Sequence, residues 1–161
     1  DLVNQILGVA PFERVSYGSL VSDLSQPREH LDLAFAEAID ALPDGRFFIT
    51  DYPSDQAALA RLSSAQDVAA RFELVVNGVE IANGYWELRD AGEHRRRFNK
   101  DRERRRLRGL PDIEMDSLFL SALDSGLPNC AGVALGVDRL LMLAEGESSI
   151  EAVMAFASDD K

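Results

Sequence analysis

A chain of 161 residues with 46% apolar and 28% charged side chains is sized and composed for one compact domain with a core, which excludes a disordered tail. Its formal net charge of −11 argues against wholesale nucleic-acid binding, because neutralising phosphates takes a surplus of Lys and Arg. Cys130 is the single cysteine and His30 and His94 the two histidines, so neither an intrachain disulfide nor a Cys/His zinc site can be assembled, and a reducing, cytoplasmic setting is expected.

Residues 1–45 read as packing helices. The clearest is EHLDLAFAEAIDALPDG, where Leu31, Phe35, Ile39 and Leu42 recur at helical spacing before Pro43 and Gly45 stop the run. RFFIT reads as a short buried strand ended by a turn at DYPSD; QAALARL then reads either as a helical turn or as an extended active-site loop. RFELVVNGVEIANGYWEL contains two strand-like runs around Asn77 and Gly78, a pair that tolerates the positive φ angles of a tight hairpin turn.

Residues 93–108 carry nine basic and three acidic side chains, a local +6 that leaves −17 for the rest of the chain. Two readings stand: a solvated helix with Glu93–Arg97 and Asp101–Arg105 pairs at i,i+4 spacing, or a docking face for an acidic partner or RNA. DSLFLSALDSGLP reads as a helix capped by Asp116, with Leu118, Phe119, Ala122 and Leu123 inward and Gly126 at its end. GVALGVDRLLMLAEG reads as a buried strand running through Gly136 into an apolar helix, and in SSIEAVMAF the residues Ser148 and Glu151 have capping-box spacing. Antiparallel strands with helices to the sides indicate an α+β domain, a mostly antiparallel sheet flanked by helices. No run of about 18 apolar residues and no cleavable leader is present, so no membrane partner is expected.

The hairpin carries the chemistry. With Asn77 and Gly78 as its loop, Val76 faces Val79, Val75 faces Glu80 and Glu73 faces Ala82, so Glu73 and Glu80 share one face. Two adjacent carboxylates suit Mg²⁺, which takes part of its shell from one or two carboxylates and the rest from water and phosphates. Asn83, Tyr85 and Glu87 share a face by period-two counting, but it is the face opposite Glu80. A β-bulge between Ala82 and Gly84 would bring all five together, and it is predicted there because a glycine inside a strand often marks such a place. The bland alternative is a surface strand whose Glu and Asn side chains face water.

RFELVVNGVEIANGYWELRDAGEHRRRF followed by GLPNCAGVALGVDRLLML resembles the class II lysyl-tRNA synthetase family over residues 46–161, the second block being similar to that family's third class-defining motif. Within the family the closer likeness is to a short branch without an anticodon domain, whose members attach (R)-β-lysine to elongation factor P. YPSDQAALARL, RRLRGLPDI, the alanines Ala82 and Ala134 where tRNA-charging members usually have glycine, and the tail VMAFASDDK carry that likeness.

The resemblance implies a class II synthetase catalytic fold, with residues 1–45 as a helical insertion region and 46–161 as the hairpin and third-motif region. It implies ATP and Mg²⁺ held by Glu73 and Glu80, an amino-acid pocket lined by Asn83, Tyr85, Gly132 and Ala134, and Glu87 pairing with the ε-ammonium of lysine or (R)-β-lysine. Arg139 would stack on adenine beside Gly136, and Arg139 with Glu80 would serve the chemical step. Elongation factor P rather than tRNA would be the acceptor, and the full-length protein would be a homodimer. The first and second motifs of the family are not found in residues 1–161, so the chain is expected to be the C-terminal part of a catalytic domain and inactive alone. A lysyl-tRNA synthetase proper and a non-catalytic paralogue are the rival readings.

Overall fold

The computed structural model describes residues 1–63 and 67–157, so the last four residues of the tail that carries part of the resemblance lie outside it. A five-stranded sheet organises the chain: β1 (Glu13–Ser16), β2 (Arg46–Pro53), β3 (Val68–Val76), β4 (Val79–Trp86) and β5 (Ala131–Leu135), in that spatial order. β1 runs parallel to β2, and every other pairing is antiparallel. Among the described residues six α-helices accompany it: α1 (Leu2–Leu7), α2 (Tyr17–Leu20), α3 (Arg28–Asp40), α4 (Ala91–Leu107), α5 (Ser117–Asp124) and α6 (Val137–Glu145).

Each sheet face has its own core. On one, Phe47, Ile49, Tyr52, Ala69 and Val75 pack with Tyr17, Val21 and Leu31 from the α2–α3 side. On the other, Leu74, Val76, Ile81 and Ala82 pack with Val3 of α1 and Leu140 of α6. Alternation along β3 produces this split, since residues 69, 71, 73 and 75 point one way and 72, 74 and 76 the other. α3 follows the predicted stripe: Leu31 is buried, and Phe35, Ile39 and Leu42 pack beside it.

Residues 13–16 correct the all-helical reading of the first 45. ERVS has no apolar alternation strong enough to announce a strand, and Glu13 and Arg14 stay exposed; pairing with the edge of β2 makes it one. β2 also runs past the turn expected at Asp51. A register shift between Thr50 and Tyr52, with Asp51 at φ 59°, absorbs the irregularity and lets pairing continue to Pro53.

The segment after β2 settles as extended rather than helical. Beyond a single 3₁₀ turn at Ser54–Gln56, Ala60 bridges Glu87 and Leu62 bridges Ala69, so this loop runs along the open ends of the hairpin strands. α5 is capped as expected, Asp116 accepting from the Phe119 N–H at 2.8 Å, an interaction worth about 1 kcal/mol. Its inward face is partly the predicted one: Leu123 is buried and Phe119 meets His94 edge-on with ring centroids 5.4 Å apart, but Leu120 is buried while Leu118 and Ala122 face solvent. Docking on α4 fixed the helix phase there. The final turn, Ile150–Val153, is 3₁₀, and its cap is Ser149 rather than Ser148.

Candidate active site

Asn77 and Gly78 both have positive φ, 48° and 78°, as a two-residue hairpin loop requires. Val76 pairs with Val79 and Val75 with Glu80, but Leu74 then pairs with Ala82, leaving Ile81 as an extra residue in β4. The bulge therefore exists, between Glu80 and Ala82, slightly before the predicted position. One consequence corrects the expected register: Glu73 faces Asn83, not Ala82.

That extra residue flips the pleat, so Glu80 and Asn83 emerge on one face while Ile81 and Ala82 both turn into the α6-side core. Gly84 does not make the bulge. A side chain there would strike the Phe72 ring, so the glycine makes room for that aromatic on the opposite face. The bulge is instead pinned from the β5–α6 junction: Arg139 Nη1 donates to Glu80 O at 2.8 Å and Gly136 N–H donates to Ile81 O at 2.8 Å.

Two rows now cross the sheet on the same face. Ile49, Glu73, Asn83 and Ala134 form one, and Arg71, Tyr85 and Gly132 form the other, with Glu87 continuing the same side of β4. Asn83 Nδ2 donates to Glu80 Oε1 at 3.3 Å. Arg139 Nη1 lies 3.8 Å from Glu80 Oε2, and both side chains are partly open to solvent. The predicted acidic side chains and Arg139 thus meet on a single surface.

The three carboxylates have different company. Glu73 is ion-paired with Arg71 and Glu80 lies beside Arg139, whereas among the described residues no Lys or Arg comes within ion-pair distance of Glu87. Glu87 bends over Gly132 instead: a Cβ placed on that glycine would sit 2.5 Å from Glu87 Oε1. Gly132→Ala is expected to leave the melting temperature within a few degrees, because the obstacle is the end of a flexible side chain, yet to weaken binding of an amine ligand about tenfold by pushing the carboxylate aside. Thermal melts and amino-acid titration calorimetry on one preparation check both halves.

Gly136 has an ordinary φ of −78°, and a methyl there would touch only the Arg139 side chain, at 3.4 Å from Cδ. Its backbone does not demand glycine; only close approach of a ligand would. No group of three His, Cys, Asp or Glu side chains gathers to hold a metal among the described residues. The donor set of Glu73 and Glu80, each already beside a guanidinium, fits a Mg²⁺ ion that arrives bound to phosphates better than a resident one.

Sequence reasoning missed Arg71, Tyr52 and Gln56. Arg71 Nη1 donates to Gln56 O at 3.0 Å, and its guanidinium lies 4.1 Å from the Tyr52 ring centroid. Burial pushes the Tyr52 hydroxyl well above the usual phenol range, and the neighbouring Glu73 carboxylate adds to the effect. The available signal was Arg71 standing two residues before Glu73, hence on its face of β3.

A groove of about 430 Å³ lies mainly on the opposite face, floored by Thr50, Phe72, Gly84 and Val133, which form a row of their own across the sheet, and flanked by Trp86. It holds neither Glu73, Glu80 nor Glu87, but Arg71, Tyr85 and Gly132 of the candidate site line it as well.

The basic run forms α4, and much of its charge is spent internally. Glu93 holds Arg97 and Arg96, whose hydrogen bonds keep its carboxyl below the usual range. Asp101 pairs with Arg104 rather than Arg105, which donates to Pro111 O, and Arg102 grips Asp112 through two hydrogen bonds of 2.9 and 2.6 Å. These contacts favour the solvated-helix reading.

A hairpin with carboxylates on one face, bulged to align them and closed by a strand–helix junction bearing arginine, is the arrangement expected of a class II synthetase. Residues 3–160 match the family model for class II tRNA synthetases (D, K and N), and the chain belongs to that family. Among its relatives, a Klebsiella pneumoniae protein (subsp. pneumoniae, strain ATCC 700721 / MGH 78578) named elongation factor P–(R)-β-lysine ligase is 41% identical over 191 aligned positions, covering 99% of this chain and 59% of that protein. Proteins of the same name from Histophilus somni (strain 2336) and Haemophilus ducreyi are 42% and 39% identical, covering 99% and 97% of this chain and 58% and 57% of their own lengths. The chain spans about three fifths of the length of these relatives. Among the described residues no helix is long and apolar enough to cross a membrane.

Proposed function

We propose that the protein containing this chain uses ATP to activate a lysine-like amino acid, with (R)-β-lysine preferred, and transfers it to a lysine of elongation factor P in the cytoplasm. One observation carries the reading: of three carboxylates on one sheet face, two lie beside arginines and the third, Glu87, stands over a glycine with no cation from the described residues beside it. A half-buried carboxylate of this kind favours a ligand that supplies an ammonium group. The relatives' shared name supports the acceptor.

In the first step the amino-acid carboxylate attacks the α-phosphorus of ATP, the bond to the β-phosphate oxygen breaks, and pyrophosphate leaves. Glu73 and Glu80 would hold Mg²⁺, which when bound offsets charge on the phosphates. Asn83 and Tyr85 line the substrate, Glu87 fixes its distal amine, and Arg139 with the α6 N-terminus adds positive potential near the nucleotide. In the second step an acceptor lysine amine attacks the activated carbonyl, AMP leaves, an amide forms, and the amine's extra proton passes to solvent. Positioning supplies most of the rate, since the two reacting groups are held side by side.

ATP–pyrophosphate exchange by the full-length protein tests the reading. Exchange driven by (R)-β-lysine above α-lysine is expected, and in a separate assay with radiolabelled amino acid the label should appear on elongation factor P; no exchange with either amino acid would overturn it. Ala134 pairs with Asn83, which puts it on the sheet face of the proposed pocket. Ala134→Gly is therefore expected to shift the β-lysine to α-lysine ratio of kcat/KM about tenfold toward α-lysine, roughly the value of one methyl group in a substrate pocket. An unaltered ratio would remove Ala134 as the selector.

A further inference from the structure

Arg71 is a charged side chain only 11% exposed, with contacts on several sides. Tyr52 lies 4.1 Å from the guanidinium carbon and Tyr85 5.5 Å, so two aromatic rings flank it. One terminal nitrogen donates to Gln56 O at 3.0 Å and the other pairs with Glu73. Gln56 is itself anchored, its amide donating to the Tyr17 hydroxyl at 2.9 Å, which in turn donates to Leu31 O of α3 at 3.4 Å. Arg71 Nε is buried and has no hydrogen-bond partner among the described residues.

Packing alone does not favour this arrangement. A buried ion pair gains little over apolar residues of the same volume, and an unsatisfied buried N–H is a further cost. What the arrangement does supply is fixed geometry, because a planar guanidinium held between rings has one orientation and imposes it on the carboxylate it binds. Glu73 belongs to the nucleotide end of the candidate site and Tyr85 to the amino-acid end. Arg71 touches both.

We infer that Arg71 is a positioning residue: clamped by Tyr52 and tied through Gln56 to α3, it holds the Glu73 carboxylate in the orientation that receives the metal–nucleotide and backs the Tyr85 wall of the amino-acid pocket. The inference rests on the site proposed above and adds a residue to it. Because the contact to Glu73 is an ion pair and that to Tyr85 is the longer of the two ring contacts, nucleotide binding is the function more sensitive to loss of Arg71.

The test uses the full-length protein, with Mg²⁺ and a non-hydrolysable ATP analogue titrated by calorimetry, lysine titrated separately, and thermal melts of every variant. Arg71→Met is expected to weaken the analogue about tenfold or more and lysine less than about threefold, since a misplaced carboxylate costs the ligand that depends on it. Arg71→Lys, which keeps the charge but not the planar fork, is expected to fall between, about threefold to fivefold weaker for the analogue. If Arg71→Met does not fold, Arg71→Lys decides. A lowered melting temperature with wild-type analogue affinity in the folded variants would show a merely structural residue and overturn the inference, as would equal losses for both ligands. Wild-type protein that binds the analogue but exchanges pyrophosphate with no lysine-like substrate would sink the proposed substrate while leaving the Arg71 comparison readable. Wild-type protein that fails to bind the analogue would end both.

Discussion

Glu87→Gln in the full-length protein is expected to lower kcat/KM for lysine-like substrates by about 10²- to 10⁴-fold, corresponding to roughly 3–5 kcal/mol for removing one partner of a desolvated charge pair. The substitution is nearly isosteric, so the side chain keeps its place beside Gly132 and the ammonium of the substrate loses its counter-charge. Affinity for ATP should stay within about twofold of wild type, because Glu87 lies at the far end of β4 from the bulge and its sites are separate enough to act independently. Steady-state kinetics with each substrate varied in turn separates the two effects. Unchanged turnover would remove Glu87 from the amine pocket.

Arg139→Ala carries the second large effect, a fall of about 10²- to 10³-fold in kcat/KM for ATP, the usual loss when one preorganised donor to a charged transition state is deleted. Fold stability should change little, since Arg139 is half exposed and the Gly136 N–H still holds the bulge at Ile81 O. Arg139→Lys should not restore the rate, because an ammonium lacks the flat face that stacks on a base and cannot reach Glu80 in the same way. A lysine variant with wild-type kcat/KM for ATP would show that point charge alone suffices and that stacking plays no part.

Much of this site was legible in the residues because a two-residue loop fixes strand register. Once Asn77 and Gly78 are a turn, the partners of Val75 and Val76 follow, and the clash of parity between Glu80 and Asn83 demands an extra residue somewhere between them. Its position was not legible. Gly84 looked like the irregular point, but the glycine serves the Phe72 ring, and Ile81 became the extra residue because two successive apolar side chains, Ile81 and Ala82, could both reach the core beside Leu140. Only tertiary packing reveals which of these is cheaper.

Other misreadings have the same origin. ERVS is a strand through its neighbour β2, and α5 turned Leu118 outward because Phe119, Leu120 and Leu123 found partners first. Arg71 escaped notice since a search for acidic ligands passes over the base beside them. The family likeness pointed to Glu73, Asn83, Tyr85 and Ala134, which fall in two adjacent rows across the sheet, and to Glu80 and Arg139, which lie beside each other at the bulge. The groove behind the sheet, lined by Phe72, Gly84 and Val133 with Arg14 and Asp51 at its side, holds none of the three glutamates among the described residues.

The most direct measurement is a structure of the full-length protein crystallised with a non-hydrolysable lysyl-adenylate analogue. The side-chain ammonium is expected within hydrogen-bonding reach of the Glu87 carboxylate, the phosphate toward Glu80 and Glu73, and the adenine beside Arg139. An analogue seated in the groove behind the sheet, or one whose amine contacts a different carboxylate, would contradict the placement of a nucleotide and a diamine along the bulged hairpin.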